Sequence, residues 1–177
     1  MIFSENRFPL FRIVLKSRNG MTIEDDIAFL ERVPILRRLG AGALRILAIS
    51  TESYTVEEDQ VLFTAGETAD CAYVVRDGSF TLTSGRLHDA EVIAEPGSLL
   101  GESALLTDTT RPATAIAREP AVVLRISRAM FLKMLDSFPD AAVRLRETIA
   151  ARADQWAREM ENARTALARG TGPQHDS

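Results

Sequence analysis

Apolar residues recur three and four positions apart at Ile23, Ile27, Leu30, Val33 and Leu36, a stripe that predicts a helix from Thr22 to about Leu39. Thr22, followed by Glu24 and Asp25, suits its start, because a hydroxyl and early acids satisfy the free amides of a first turn. Gly40 and Gly42 interrupt the stripe, and Ala43 to Ser50 predicts a second short helix. The period then changes to short runs of β-type residues. Tyr54-Thr55-Val56, Val61-Leu62-Phe63, Ala72-Tyr73-Val74-Val75 and Phe80-Thr81-Leu82-Thr83 are followed by Glu91-Val92-Ile93-Ala94, Thr114-Ala115-Ile116 and Val122 to Ile126. Gly66, Asp77-Gly78, Ser84-Gly85 and Pro96-Gly97 mark turns between them. Strands this short and this regularly spaced predict a sandwich or jelly roll.

After Ser127, a suitable N-cap, the helical period returns with Met130, Phe131, Met134 and Leu135. Phe138-Pro139 breaks it, and Pro139 fits the first turn of a further helix that runs to about Ala168. Gly170-Thr171-Gly172-Pro173 ends that helix, and residues 169–177 read as a tail. The expected fold is therefore mainly β with flanking α. An antiparallel β roll from about Ser53 to Ser127 is preceded by N-terminal helices and followed by a short and a long C-terminal helix. The organisation expected is a basic arm over 1–20, a β roll with its helices over 21–138, and a long helix over 139–168.

Composition narrows the function classes. The 177 residues suffice for one domain with a buried core, and 46% hydrophobic residues is ordinary for a soluble protein. A net charge of −4 argues against a broad DNA-binding face, which needs a clustered basic surface. The single cysteine, Cys71, excludes a disulfide framework and any cysteine-ligated zinc or iron–sulfur site within one chain, and reads as a small buried hydrophobe. No apolar run has the length of a membrane span. The first twenty residues carry Arg7, Arg12, Lys16 and Arg18, but Arg12 divides their apolar stretch and no small-residue cleavage site follows, so a signal peptide is not expected. They read as a loosely packed or surface-docking arm, or as a start placed upstream of Met21.

The densest chemistry lies in Leu100-Gly101-Glu102-Ser103-Ala104-Leu105 and, after a short loop, Arg111-Pro112-Ala113-Thr114-Ala115. Gly101 allows positive φ or a close backbone approach. Ser103 to Leu106 reads as one helical turn whose first N–H groups face an anion. Arg111 can fork two N–H bonds onto phosphate oxygens and keeps its charge. Glu102 would be repelled by a phosphate and suits a hydroxyl donor such as a ribose 2′-OH.

Gly101, Glu102, Ala104, Leu105, Arg111, Ala113, Ala115 and Ala117 follow the order Gly-Glu-x-small-aliphatic, loop, Arg-small-Ala. A second motif lies upstream, with Gly66, Glu67, Asp70, Tyr73, Val74, Val75 and Gly78. Together they resemble the cyclic-nucleotide-binding domains of the catabolite activator protein and protein kinase A regulatory subunit type, from about Ile23 to Asn162. The resemblance implies a phosphate-binding cassette with ligand contacts at Gly101, Glu102, Ser103, Ala104, Arg111, Pro112 and Ala113. It implies no cofactor; the implied ligand is a cyclic nucleotide. Pro112 departs from the pattern: many members carry Ser, Thr or Ala after the arginine, whose N–H, and any hydroxyl, helps bind the phosphate. One lost charge-assisted bond corresponds to about 1.5–3 kcal/mol. The missing hydroxyl also leans the resemblance toward cAMP over cGMP.

Ile149, Ala153, Trp156, Met160, Ala163 and Leu167 form a 4-3-4-3-4 heptad seam, which predicts a homodimer through the long helix or a helix packed back on its own domain. Trp156 stands on that seam and, by the resemblance, where an aromatic lid could stack on a purine. No DNA-binding segment of the family's transcription factors is recognisable after the helix, and His88 and His175 sit in no nucleophilic motif, so neither DNA binding nor an enzyme is expected. Two readings stand. One is a cytoplasmic cyclic-nucleotide sensor, dimeric, acting in trans on an unidentified protein partner through reorientation of its C-terminal helices. The other is a ligand-free β-roll scaffold or dimerisation module, for which Pro112 speaks and the retained Glu102 and Arg111 do not.

Overall fold

A computed structural model describes residues 22–83 and 91–148, together with the backbone of Val14–Leu15. Helix α1 (Ile23–Leu30) opens with a capping box: the Thr22 hydroxyl accepts from the Asp25 N–H, and the Asp25 carboxylate accepts from the Thr22 N–H. The predicted helix to Leu39 ends at Leu30, because Pro34 has no N–H to donate and disfavours helical backbone at Val33. A separate 3-10 turn, Leu36–Leu39, continues the apolar stripe, so Leu30, Val33 and Leu36 still reach one core. Helix α2 (Ala41–Ser50) starts two residues before the predicted Ala43 and takes Gly42 into its first turn. A side chain at Gly42 would press on the Phe138 ring, so this glycine admits a close packing partner instead of breaking the helix.

The β region contains the predicted runs. They become β2 (Glu52–Val56), β3 (Val61–Phe63), β5 (Cys71–Asp77), β6 (Phe80–Thr83), β7 (Glu91–Ala94), β10 (Thr114–Ala117) and β11 (Ala121–Ser127). Four two-residue strands join them: β1 (Val14–Leu15), β4 (Thr68–Ala69), β8 (Leu99–Leu100) and β9 (Thr109–Thr110). Eleven strands are thus described, the seven predicted runs and four that no run announced. Two residues are too short to show a period of two, and only their partners reveal such strands. β1 lies in the basic arm and pairs with β2 through Val14–Thr55 and Leu15–Tyr54.

Every strand pairing among the described residues is antiparallel. One sheet has the order β1-β2-β11-β5-β8, the other β3-β10-β6-β7, and β4-β9 forms a small third. The roll interior between the two large sheets is filled by Val56, Phe63, Val75, Phe80, Leu100 and Val123 with small alanines. Alternate residues of the same β5 and β11 point the other way. Ala72, Val74, Leu124 and Ile126 meet Leu30, Leu36, Leu44, Leu47, Phe131 and Met134 in a second core under the helices.

Helix α3 (Arg128–Ser137) begins at Ser127, whose hydroxyl accepts from the Met130 N–H, and stops before Pro139 as expected. Residues 139–148 are helical, and Ala141 and Leu145 join the second core. Arg144 ties this helix to the end of the 3-10 turn, donating from Nε to the Arg38 carbonyl at 2.8 Å and from Nη2 to the Leu39 carbonyl at 3.0 Å. The seam from Ile149 to Leu167, with Trp156, lies outside the described residues. No helix among the described residues is long and apolar enough to cross a membrane.

Candidate ligand site at the cassette

The cassette is held between a strand and a helical turn. β8 leads into Gly101, which takes φ +74, a left-handed value open to glycine at little cost. From there a 3-10 turn, Glu102–Leu105, closes through the Ala104 N–H on the Gly101 carbonyl at 3.1 Å. It starts one residue before the predicted Ser103. Ala104 and Leu105 are buried and anchor the turn, which leaves Glu102 and Ser103 exposed beside its first amides. Pro112 is exposed in the bend that follows Arg111, and Ala113 is half-buried.

The two glycine-anchored sequence motifs meet here. β4 of the upstream motif pairs with β9 of the cassette, Thr68 opposite Thr110 and Ala69 opposite Thr109. One step further, the Gly66 N–H donates to the Arg111 carbonyl and the Arg111 N–H to the Glu67 carbonyl, both at 2.8 Å. The upstream motif therefore fixes the backbone from which the arginine side chain starts.

That side chain runs inward. Arg111 is only 5% exposed, unusual for a permanently charged group. Its guanidinium carbon lies 4.5 Å from the Phe63 ring centre and 5.5 Å from that of Tyr73. Two aromatic rings can offer a cation their electron-rich faces. Nη2 donates to Cys71 Sγ at 3.2 Å. Nη1 is buried without a hydrogen-bond partner and lies against Gly101, where any Cβ would overlap it. A buried donor left unpaired costs about 1–3 kcal/mol, more when charged. An anion brought to Gly101 would answer that cost.

Phe63, Cys71 and Tyr73 were not among the ligand contacts expected from the sequence, although Tyr73 belongs to the upstream motif. Cys71 is buried, as expected, but it also serves as the acceptor for the arginine. The signal was available in the spacing: Cys71 and Tyr73 are two apart on β5 and so share the face turned into the roll. Burial raises the Tyr73 phenol pKa above its ordinary 10.0, and the neighbouring Cys71 acts in the same direction.

Behind the cassette, a cavity of about 250 Å³ is lined by Leu105 and Leu106 of the turn and by Ile35, Leu36, Phe131 and Leu145. Arg128, the first residue of α3, reaches across to the cassette side. It pairs with Asp108, and its Nη2 donates to the Ala69 carbonyl at 2.8 Å.

Residues 54–138 match the family model for the cyclic nucleotide-binding domain. The chain is 36% identical to a cyclic nucleotide-binding-like protein from Brucella abortus, over 63% of this chain and 98% of that one, with a TM-score of 0.56. The chain belongs to the cyclic nucleotide-binding domain family. It is also similar to the N-terminal domain of a transcriptional regulator from Streptomyces coelicolor, at 26% identity and a TM-score of 0.66, over 75% of this chain and 94% of that one. Among curated relatives it is 33% identical to the cAMP-dependent protein kinase regulatory subunit of Yarrowia lipolytica over 135 residues. That match takes in 76% of this chain but spans only 36% of the relative's length.

Proposed function

We propose that this domain binds a cyclic nucleotide, cAMP by preference, with the phosphate at the cassette. The observation that carries the reading is the buried Arg111 guanidinium with Nη1 unpaired against Gly101. A phosphate oxygen would supply a charge-assisted partner for that group. The first amides of the turn after Gly101 add donors, the buried Ala104 holds that turn in place, and Ser103 and Ala113 flank the approach. Glu102, exposed on the same turn, would take the ribose 2′-hydroxyl. Pro112 offers no N–H, so affinity is lower than in a cassette with serine there.

Binding would draw the turn and α3 together across the intervening cavity, and the helices beyond Phe138 would carry the change to a protein partner in trans. A homodimer through the seam from Ile149 to Leu167, with Trp156 closing over the base, completes the proposal. A cytoplasmic location suits this role. Ligand shifts the helices only by its differential affinity for their two arrangements.

Calorimetric titration of the full chain with cAMP, cGMP and cyclic di-GMP tests this. Saturable binding of cAMP, reduced at least a hundredfold in Arg111→Ala, is the expected result. No binding of any of the three by the wild-type chain would leave the scaffold reading in its place.

A further inference from the structure

We infer that Cys71 is a positioning residue for the anion-binding arginine: its sulfur holds one arm of the Arg111 guanidinium so that the other is presented beside Gly101. The inference rests on the nucleotide-binding reading for its consequence, but its geometry stands alone. Arginine has five donors and no acceptor, so in the 3.2 Å contact the sulfur must accept from Nη2. Phe63 and Tyr73 lie beside the guanidinium carbon, but contact with an aromatic ring is too weakly directional to fix which N–H points where. The sulfur contact does. With Nη2 fixed on Cys71 and the backbone of Arg111 fixed by Gly66 and Glu67, Nη1 is left on the Gly101 side, buried and unpaired.

Cys71 can act this way because of its place in the fold. β4 and β5 are separated by Asp70 alone, so the strand that sets the arginine backbone leads directly into the residue that meets its tip. Cys71 and Tyr73 share the inward face of β5, opposite Ser127 and Arg125 of β11. An apolar residue of similar size would pack there equally well but would leave Nη2 unpaired beside Nη1. The guanidinium would then gain by turning, and an incoming phosphate would have to reorder it.

Two measurements on the full chain separate this inference from the binding reading. The first uses no ligand: the Arg111 side-chain Nε–H resonance is followed in nitrogen-15 correlation spectra, assigned by its loss in Arg111→Ala. Slow exchange with water is expected in the wild type, with exchange at least tenfold faster in Cys71→Ala and near-wild-type behaviour in Cys71→Ser, which restores an acceptor. Cys71→Val, closer in volume, takes the place of the alanine variant if that one fails to fold. The second is calorimetric titration with cAMP. Cys71→Ala should bind about tenfold more weakly, Cys71→Ser within about threefold of wild type, and Cys71→Ala should add nothing in an Arg111→Ala background. Unchanged Arg111 exchange in Cys71→Ala and Cys71→Val overturns the positioning role whether or not nucleotide binds. Altered exchange without any cAMP binding by the wild type upholds the positioning and removes only the proposed ligand.

Discussion

The two cores of this domain share β5 and β11 but are built on opposite terms. Under the helices, Leu30, Leu36, Leu44, Leu47, Phe131 and Met134 are all buried to 1% or less in an apolar cluster. At the mouth of the roll, the same strands help enclose an arginine, a thiol and a phenol, and leave Nη1 of the arginine unpaired. The helix side needs nothing more than itself. The mouth leaves a buried cationic nitrogen without a partner. Such a division lets stability reside on one face of a sheet while the other carries a costly arrangement that a ligand can relieve.

The contrast is sharpest for paired substitutions at its two extremes. Phe131→Ala should destabilise the domain by about 3–5 kcal/mol, measured as a shift in the urea unfolding midpoint, because a fully packed ring is removed. Arg111→Met, which keeps length and loses charge, should cost at least two decades of cAMP affinity by calorimetry and leave the unfolding midpoint unchanged or higher. A destabilisation by Arg111→Met as large as that by Phe131→Ala would make the arginine a structural group and remove the distinction between the cores.

A smaller effect concerns the helix over 139–148. Arg144→Ala removes two bonds to the Arg38 and Leu39 carbonyls, and because Arg144 is exposed the expected loss is about 1 kcal/mol. Amide hydrogen exchange in 139–148 should quicken by about fivefold while β5 and β11 keep their protection. Equal quickening throughout would mean that this helix opens only with the whole domain.

The smallest effect is in alkali. The Tyr73 phenol has its pKa raised in the native state, chiefly by burial, so the unfolded chain gives up this proton first. Its contribution to stability is present below the ordinary value of 10.0 and is lost as the pH climbs toward the raised native value. Tyr73→Phe should therefore flatten the fall of stability above pH 10, read from urea unfolding at stepped pH. An identical alkaline profile in the variant would place the loss at another group.

What the sequence disclosed follows the same division. The aliphatic stripe of α1, the Thr22 cap, the Ser127 cap and the longer strands are local patterns with periods of 3.6 or 2, and they were legible. The end of α1 at Leu30 was missed because the stripe continues across Pro34 in a different backbone. The cassette was legible because Gly101, Glu102 and Arg111 sit within a dozen residues. Its inner wall was not: Phe63 and Cys71 lie 48 and 40 positions before Arg111, and the β3–β10 and β4–β9 pairings bring them together. Two-residue strands are visible through such pairing alone, since their own residues carry no pattern.

The overlap between a would-be Cβ at Gly101 and Nη1 of Arg111 has a hereditary consequence. Neither position can drift by itself. A methyl group at 101 meets the guanidinium as well as an unfavourable φ, and a shorter side chain at 111 that made room for it would surrender the fork. In a selection for restored nucleotide response from a Gly101→Ala parent, compensation at 111 would exchange one defect for another, leaving the return of glycine as the open route. The two codons, separated along the gene by the turn and β9, behave toward selection as a single locus.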